Sequence, residues 1–453
     1  MTLDRRQMPV PGHPPGLHFP RLTRSTLAPG FNLWSVEKRD LPLVHVLWLW
    51  HAGSAVDAAA TPGLSALTAD MLDEGTRDLT MPALHDALAR IGGQLDTDIG
   101  HDATILSLTA LSAHRERALG LLAAMAERPR FDVDDLDRVR ALRLNRVRQL
   151  RHSASSLADL VAMEHLFGDH AYGRSSLGTE ASLSALGVDA VRARHAAYAR
   201  TPVTLVAVGD ISHDEFEQLV SSQVEAVQRQ AVTPSRGSLP DDRARMVFVP
   251  RRGSAQSELR VGRVAASRAT PDYHALIVTN TLLGGAFVSR INSKLREEKG
   301  VTYGARSGFQ FLKEPGPFFV QASVQSDATA ASVHDILTEL DALGSTRLVT
   351  SDELASAQGS LTRGYARGFE TAEQVARSAA QLALFDLPDD TFDRFVERVE
   401  AVTADDVTRL ARTWLASAAM KAVVVGDPET ARRGLDDVGM GTIEERLADD
   451  LLK

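Results

Sequence analysis

At 453 residues the chain is too long for a single hydrophobic core, so we expect two or more domains. A net charge of -9 and an aromatic content of only 5% argue against a nucleic-acid-binding protein, which needs basic patches and stacking side chains. Cysteine is absent, which excludes disulfides, thiolate metal ligands and cysteine nucleophiles.

Residues 1–28 are rich in proline and glycine and predict an irregular lead-in. They contain no continuous apolar run of the kind that a secretory signal requires. Elsewhere in the sequence no stretch reaches the roughly 20 apolar residues that span a bilayer. We therefore expect a cytoplasmic protein that does not contact a membrane.

Residues 29–228 predict a first domain of strands and helices. Apolar residues with strand character occur at Val44–Trp50 and Val203–Ser212. Apolar residues at helical spacing occur at Met81–Gly92 and at Asp132–Arg151. Strands and helices in this mixture indicate a sheet covered by helices.

A linker is predicted at residues 229–245, where prolines, glycines and mixed charges interrupt the pattern. After it, in residues 246–453, the order of strands and helices repeats. The sequence VAVGDIS, which contains Asp210, is echoed near the end of the chain by KAVVVGDPE, which contains Asp427. We predict an α+β fold of two homologous halves, each a layered mixed sheet with helices.

The segment Pro62–Thr76 reads PGLSALTADMLDEGT and predicts a helix that opens after a glycine. Several of its residues match, without a gap, the zinc-site helix of peptidase family M16, the family of pitrilysin, insulinase and the mitochondrial processing peptidases. In that family Gly-Leu-Ala opens a helix with the motif His-x-x-Glu-His, which is followed by Met and then by Gly-Thr. The matching residues are Gly63, Leu64, Met71, Gly75 and Thr76.

The positions that would carry the chemistry hold other residue types. Ala66 and Asp70 stand where the family has its two histidine ligands, and Ala69 stands where it has the glutamate general base. The resemblance places the third ligand, a glutamate in the family, at Arg146. An alanine can neither ligate zinc nor accept a proton, and a guanidinium cannot bind a cation. We therefore predict no metal in this chain and no peptide hydrolysis by this chain alone.

The strongest functional signal of the second half is LREEKGVTYGA, residues 295–305. From the residues alone, Arg296 is either a substrate-binding side chain or a surface arginine that pairs with Glu297 or Glu298. The stretch resembles the Arg-Glu-x-x-Gly-Leu-Ala-Tyr segment by which the second half of M16 proteins binds substrate, and Arg296 and Tyr303 occupy the matching positions. Both side chains can donate hydrogen bonds to a peptide carbonyl or to the oxyanion that forms on hydrolysis.

The helix that carries Arg296 is predicted to run over residues 287–299. Phe287, Ile291 and Leu295 lie at helical spacing and predict one buried stripe, with Arg296 at its edge.

The resemblance implies a division of labour between two chains. In two-chain M16 members one chain carries the zinc helix, the other carries the Arg/Tyr pair, and the two close like a clamshell around a peptide. Our hypothesis is a catalytically silent subunit, half of such a clamshell, that forms a heterodimer with a zinc-bearing paralogue and acts on unfolded peptides. Zinc is then expected in the partner only. The alternative hypothesis is a non-proteolytic scaffold or peptide-binding homodimer of the same fold.

Overall fold

The computed structural model describes residues 16–230, 237, 239–240 and 244–448. The start of the predicted lead-in 1–28, most of the predicted linker 229–245 and the end of the predicted domain 246–453 lie outside these ranges. Within them, no helix is both long and apolar enough to cross a lipid bilayer.

The first half contains strands β1 to β6 and helices α1 to α8. Its strands are β1 (Thr23–Ala28), β2 (Phe31–Glu37), β3 (Leu43–Trp50), β4 (Gln94–Ile99), β5 (Thr104–Leu111) and β6 (Val203–Gly209). Its helices are α1 (Leu64–Asp70), α2 (Met81–Arg90), α3 (Arg115–Glu127), α4 (Val133–Leu150), α5 (Ala154–Phe167), α6 (Glu180–Ala185), α7 (Val188–Tyr198) and α8 (His213–Gln223). Strand β6 is buried along its whole length, because both faces of a central strand are covered.

The second half contains strands β7 to β12 and helices α9 to α15. Its strands are β7 (Met246–Pro250), β8 (Gln256–Val264), β9 (Thr302–Phe309), β10 (Pro317–Gln325), β11 (Lys421–Gly426) and β12 (Ile443–Glu445). Its helices are α9 (Tyr273–Asn280), α10 (Arg290–Asn292), α11 (Thr329–Gly344), α12 (Ser351–Thr362), α13 (Ala372–Phe385), α14 (Phe395–Glu400) and α15 (Ala404–Trp414). Wider π-helical turns at Thr281–Gly285 and Ser293–Glu298 continue α9 and α10.

Five strands of each sheet share one topology, which confirms the predicted pair of homologous halves in an α+β fold. The strand order is β1-β2-β6-β3-β5-β4 in the first sheet and β12-β7-β11-β8-β10-β9 in the second. Strands β2 and β6 pair in parallel, as β7 and β11 do, and the three pairings from β6 to β4 and from β11 to β9 are antiparallel. The remaining edge strands differ, because β1 pairs antiparallel with β2 and β12 pairs parallel with β7. Asp210 and Asp427 directly follow the equivalent strands β6 and β11.

The boundaries of the first half are wider than the sequence predicted. Residues 23–28, assigned to the irregular lead-in, form the edge strand β1, which pairs with β2. This strand is largely exposed, so it carries little apolar alternation and is stabilised by backbone pairing instead. Arg229, assigned to the linker, is buried in the first half, where its Nη2 donates to Glu127 Oε1 at 2.8 Å.

Each sheet has a second apolar face that a helix from the other half covers. Helix α5 of the first half packs on β8 and β11, and helix α13 of the second half packs on β3 and β6. The buried residues of the α5 contact are Leu157, Ala158, Val161 and Ala162. Those of the α13 contact are Val375, Ala376, Ala379 and Ala380. Both sets follow the same helical spacing. Each half therefore contributes one helix to the sheet of the other half, an arrangement we call the helix exchange, and each sheet needs the other half to cover its second apolar face.

A polar contact also joins the halves at the loop between β9 and β10. Asp102 accepts hydrogen bonds from the Tyr172 hydroxyl at 2.7 Å and from the backbone N–H of Lys313 at 2.8 Å. His170 Nε2 lies 3.1 Å from Glu314 Oε2. The loop that carries His170 and Tyr172 therefore has a structural role in holding the two halves together.

We predict that Leu157→Ala lowers the stability of both halves together. Leu157 is 1% exposed and packs against the second sheet, and the loss of a buried leucine side chain costs about 2–5 kcal/mol. Because α5 joins the halves, tryptophan fluorescence, to which the first half contributes Trp34, Trp48 and Trp50, and far-UV circular dichroism should report the same shift of the urea midpoint.

The control is Leu142→Ala, at a position of α4 that is 52% exposed, which should change the free energy of unfolding by less than about 0.5 kcal/mol. Two separate transitions in the Leu157→Ala variant, with only one of them shifted, would contradict the coupling of the halves.

Candidate functional site

The helix α1, which aligns with the zinc motif, begins at a buried carboxylate. Asp57 is 1% exposed and accepts hydrogen bonds from the N–H groups of Gly63, at 3.1 Å, and Ser65, at 3.0 Å. Gly63 has a φ of +87°, a conformation that favours glycine. Burial raises the pKa of Asp57, and the Ser65 hydrogen bonds and the charge of Arg194 oppose that rise. The start of α1 is thus fixed by local chemistry that does not depend on a metal.

Three residues of α1 align with the chemical positions of the zinc motif. Two of them are buried in the core, and the third forms an ion pair. Ala66 and Ala69 are each 1% exposed, and their methyl groups are packed inside the first half. Asp70, at the end of the helix, is partly exposed and accepts hydrogen bonds from Arg143 of α4. Arg143 Nε lies 3.1 Å and Nη2 lies 2.5 Å from Asp70 Oδ2.

Arg143, and not Arg146, is the residue of α4 that the fold brings to Asp70. The side chain of Arg143 is 4% exposed, whereas Arg146 lies on the exposed side of the same helix. Sequence reasoning missed Arg143, although a signal was present. The buried stripe of α4 consists of Leu136, Val139, Arg143 and Val147, so a charged residue stands at an otherwise apolar core position.

The side chains around Asp70 do not fit a zinc ion. Two alanines offer no donor atom, and the carboxylate of Asp70 already binds a guanidinium, whose positive charge would repel a metal cation. Across the ranges that the structure describes, no group of three or more His, Cys, Asp or Glu side chains is arranged to hold a metal. Here Asp70, at one of the aligned ligand positions, forms an ion pair with the buried Arg143.

In the second half, Arg296 is held by an aromatic ring. Its guanidinium carbon lies 4.2 Å from the ring centroid of Phe287, a cation–π contact. Arg296 Nη1 lies 3.5 Å from Glu297 Oε1, and it is buried without a hydrogen-bond partner among the described residues. The pairing with Glu297 that the sequence allowed is therefore a loose contact, and most of the guanidinium's donor capacity is unused.

Tyr303 lies at the start of the edge strand β9 and is 94% exposed. It lines a cavity of about 520 Å³ together with Phe287, Arg306 and Gln321. Arg296 is not among the residues that line this cavity, but it stacks on Phe287, which is. Phe287 thus contacts Arg296 and lines the same cavity as Tyr303.

Phe287 itself is not where helical spacing predicted it. It precedes α10, which begins at Arg290, and its ring is 68% exposed instead of buried with Ile291 and Leu295. The cause lies upstream at Gly284, where a Cβ would approach the Ser307 Oγ to 2.6 Å. The close approach of this turn to β9 directs the following residues outward, so Phe287 becomes a platform for Arg296.

An ion pair between a buried arginine and a half-buried glutamate anchors the segment that carries Arg296. Arg290, which is 7% exposed, donates through Nε and Nη2 to both carboxylate oxygens of Glu353, each at 2.8 Å. It also donates to the backbone carbonyls of Arg347 and Leu348. The hydrogen bonds from Arg290 lower the pKa of Glu353 to about 2.

We predict that zinc binding can be introduced only when the third ligand stands at position 143 of α4. A chain with Ala66→His, Ala69→Glu, Asp70→His and Arg143→Glu should bind about one zinc ion, because the new carboxylate replaces the side chain that reaches position 70. The matched control carries the same three changes on α1 with Arg146→Glu, and the retained Arg143 guanidinium should keep zinc out. Metal content measured by mass spectrometry after dialysis gives the answer. Equal zinc in both chains would show that Arg143 does not govern the site.

We predict that Glu353 contributes to the acid sensitivity of the fold. Its folded-state pKa of about 2 lies below the ordinary value of 4.5, so its stabilising effect is complete above about pH 4.5 and is lost as the pH falls toward 2. In urea unfolding at about pH 6 and about pH 3, Glu353→Gln should lose less stability on acidification than the unmodified chain. Asp352→Asn, at the exposed neighbouring carboxylate, should behave like the unmodified chain. An unchanged acid response in Glu353→Gln would disprove this role.

Comparison with known proteins agrees with this architecture. One family model, Insulinase (Peptidase family M16), matches residues 43–180, and a second, Peptidase M16 inactive domain, matches residues 186–361. The two matches follow each other along the chain and together span most of both halves.

Individual relatives differ in what they are called. An uncharacterised zinc protease of Streptomyces coelicolor is 25% identical over 408 residues, which is 86% of this chain and 87% of the relative. A non-peptidase homologue of Helicobacter pylori is 22% identical over 322 residues, 70% of this chain and 74% of the relative. The crystal structure of a peptidase M16 inactive domain from Pseudomonas fluorescens superimposes with a TM-score of 0.83 at 25% identity, over 90% of this chain and 98% of that one. The repeated sheet topology, the aligned motif helix and these matches agree, and the chain belongs to peptidase family M16.

Proposed function

We propose that this chain is a catalytically silent subunit of a two-chain M16 peptidase. It would supply Arg296 and Tyr303 to a peptide substrate, while a zinc-bearing paralogue supplies the metal and the general base. The chain itself has an ion pair where that metal would bind.

The observation that carries the proposal is the exposure of Tyr303. Tyr172 and Tyr198 are each 2% exposed or less and form hydrogen bonds, as tyrosines in folded proteins usually do. Tyr303, by contrast, is 94% exposed, and nothing in the described fold uses its hydroxyl. Because an aromatic side chain in this position contributes little to folding, it is suited to contact another molecule.

The surroundings of Tyr303 fit an extended peptide. Strand β9 forms the edge of its sheet, so its outer backbone groups can pair with a further strand, apart from the Ala305 N–H, which donates to Asn292 Oδ1 at 3.0 Å. Phe287 and Val288, which are 68% and 81% exposed, add an apolar surface next to it. The Arg296 guanidinium and the Tyr303 hydroxyl can donate hydrogen bonds to a carbonyl oxygen of that peptide, or to the oxyanion that forms when the partner attacks it.

The absence of metal ligands in this chain supports a heterodimer with a chain that has them. This chain has donors for a substrate oxygen but no metal ligands, and it needs a partner that has them. An M16 paralogue with an intact His-x-x-Glu-His helix would provide the missing half of the chemistry.

We predict that Arg296→Ala abolishes peptide cleavage by the complex without affecting its assembly. The loss of one donor to an oxyanion lowers kcat by about 10²–10³-fold, and Tyr303→Phe, which keeps the ring and removes only the hydroxyl, should show a loss of the same kind. The measurement combines cleavage of a fluorogenic peptide with size-exclusion chromatography of the co-expressed subunits.

Lys294→Ala is the matched control, because Lys294 lies on the same helical turn but pairs with Glu298 through its ammonium group. It should leave cleavage unchanged. Full activity of Arg296→Ala in an intact complex would refute the assignment of the Arg/Tyr pair.

The second candidate is a non-proteolytic scaffold or peptide-binding homodimer. The ion pair at Asp70 and the similarity to a non-peptidase homologue favour it. Purification of the tagged chain from its host at native levels separates the two functions. A stoichiometric partner that contains zinc supports the peptidase subunit, whereas recovery of this chain with itself alone and without zinc supports the scaffold.

A further inference from the structure

A second cavity lies in the second half, away from Arg296 and Tyr303. Its volume is about 270 Å³, and it is formed by the loop before α9, the first residues of α9, the end of α13 and helix α14. Its lining includes Arg268, Tyr273, His274, Phe385, Leu387 and Arg398. None of its residues lines the cavity at Tyr303, so it forms a separate site.

The two arginines in this cavity have no acidic partner within the described ranges. The buried arginines Arg143 and Arg290 pair with carboxylates, whereas the half-buried Arg263 donates to the backbone carbonyls of Val264 and Thr413. The guanidinium of Arg268 lies 3.6 Å from the ring centroid of Tyr273 and makes no ion pair in the described part of the chain. The side chain of Arg398, one helix away, likewise makes no ion pair there.

The nearest acidic residues do not neutralise these arginines. Asp272 binds Arg409 at 2.8 Å, and Asp393 accepts a hydrogen bond from the backbone N–H of Phe19 at 2.6 Å. Asp386 lines the cavity, but among the described contacts it pairs with neither arginine. Among the described residues, both arginines therefore line one small cavity without forming an ion pair, and Asp386 is the acidic residue in its lining.

His274 also lines this cavity. Its Nε2 is buried and has no hydrogen-bond partner among the described residues. Burial lowers the pKa of His274 to about 4, and the positive charges of Arg398 and Arg268 act in the same direction. The imidazole is therefore neutral at pH 7, and its Nε2 can donate or accept a hydrogen bond according to its tautomer.

Such an arrangement is unfavourable without a ligand. The two guanidinium groups repel each other, and burial also lowers the pKa of Arg268, which shows that its charged form is poorly solvated. An oxyanion between the arginines would offset both effects, because guanidinium groups bind carboxylate and phosphate oxygens through paired hydrogen bonds.

We propose that this cavity binds a small organic anion, with its carboxylate or phosphate group between Arg268 and Arg398. The walls beside the arginines are apolar and consist of Phe385, Leu387 and Pro388, so the ligand carries an apolar body as well as the charged group. The cavity volume is slightly below the range for drug-sized ligands, which restricts the ligand to a small acid.

Isothermal titration calorimetry of the full chain at neutral pH tests the proposal with three probes: phenylacetate, its neutral amide, and inorganic phosphate. Phenylacetate should bind with a Kd of about 1 mM or lower, and phenylacetamide, which has the same shape without the charge, should bind at least about tenfold more weakly. Tighter binding of phosphate than of phenylacetate would identify the ligand as a phosphate ester instead of a carboxylic acid. Equal binding of the acid and the amide, or no binding of either anion at about 10 mM, would overturn the proposal.

Substitutions place the binding in this cavity. Arg268→Gln and Arg398→Gln should each weaken the binding of the preferred anion by about tenfold or more. Arg394→Gln is the control, because Arg394 stands one turn from Arg398 and is paired with Asp390 and Glu397 at the surface. It should not change the affinity, and an equal loss in Arg394→Gln would show that the binding is non-specific.

Thermal unfolding without anion distinguishes lost binding from lost folding. Because Arg268→Gln removes the repulsion from Arg398, its melting temperature should not fall, and the rise that the anion produces in the unmodified chain should disappear. Lower melting temperatures in both glutamine variants would show that the arginines serve the fold, and that result would refute the anion site.

Discussion

Each of the two sheets has an apolar face that only a helix from the other half covers, and the rest of the structure depends on this exchange. Helices α5 and α13 use the same spacing of small and branched apolar residues, so each fits closely on the central strands it meets. The halves are therefore held in one orientation. Arg296, Tyr303 and the ion pair at Asp70 are therefore all built on one frame that both halves form together.

The zinc-motif helix shows how a site can lose its chemistry and keep its structure. Asp57 still fixes the start of α1, and the backbone of the motif is unaffected by the alanines at its chemical positions. Arg143 of α4 pairs with Asp70 at the end of α1 and so links the two helices. The buried Arg143 needs this partner, because an unpaired buried charge is costly.

The sequence predicted the two homologous halves, the position of α1 and the segment around Arg296, because these follow from local patterns and from a motif without gaps. It could not predict Arg143, since the choice between residues 143 and 146 depends on how α4 is rotated in the tertiary structure. It misplaced Phe287, because helical spacing gives no information on the close approach of Gly284 to Ser307. The packing of α5 and α13 on the sheet of the other half could not be predicted either, since an apolar stripe shows that a helix is buried but not which sheet it covers.

The exchange of α5 and α13 has a consequence for how such a protein can change over generations. A recombination event that replaced one half with that of a paralogue would bring a foreign helix onto both sheets at once, and both contacts would have to fit. The two halves are thus expected to diversify together as one inherited unit, although they are equivalent in topology.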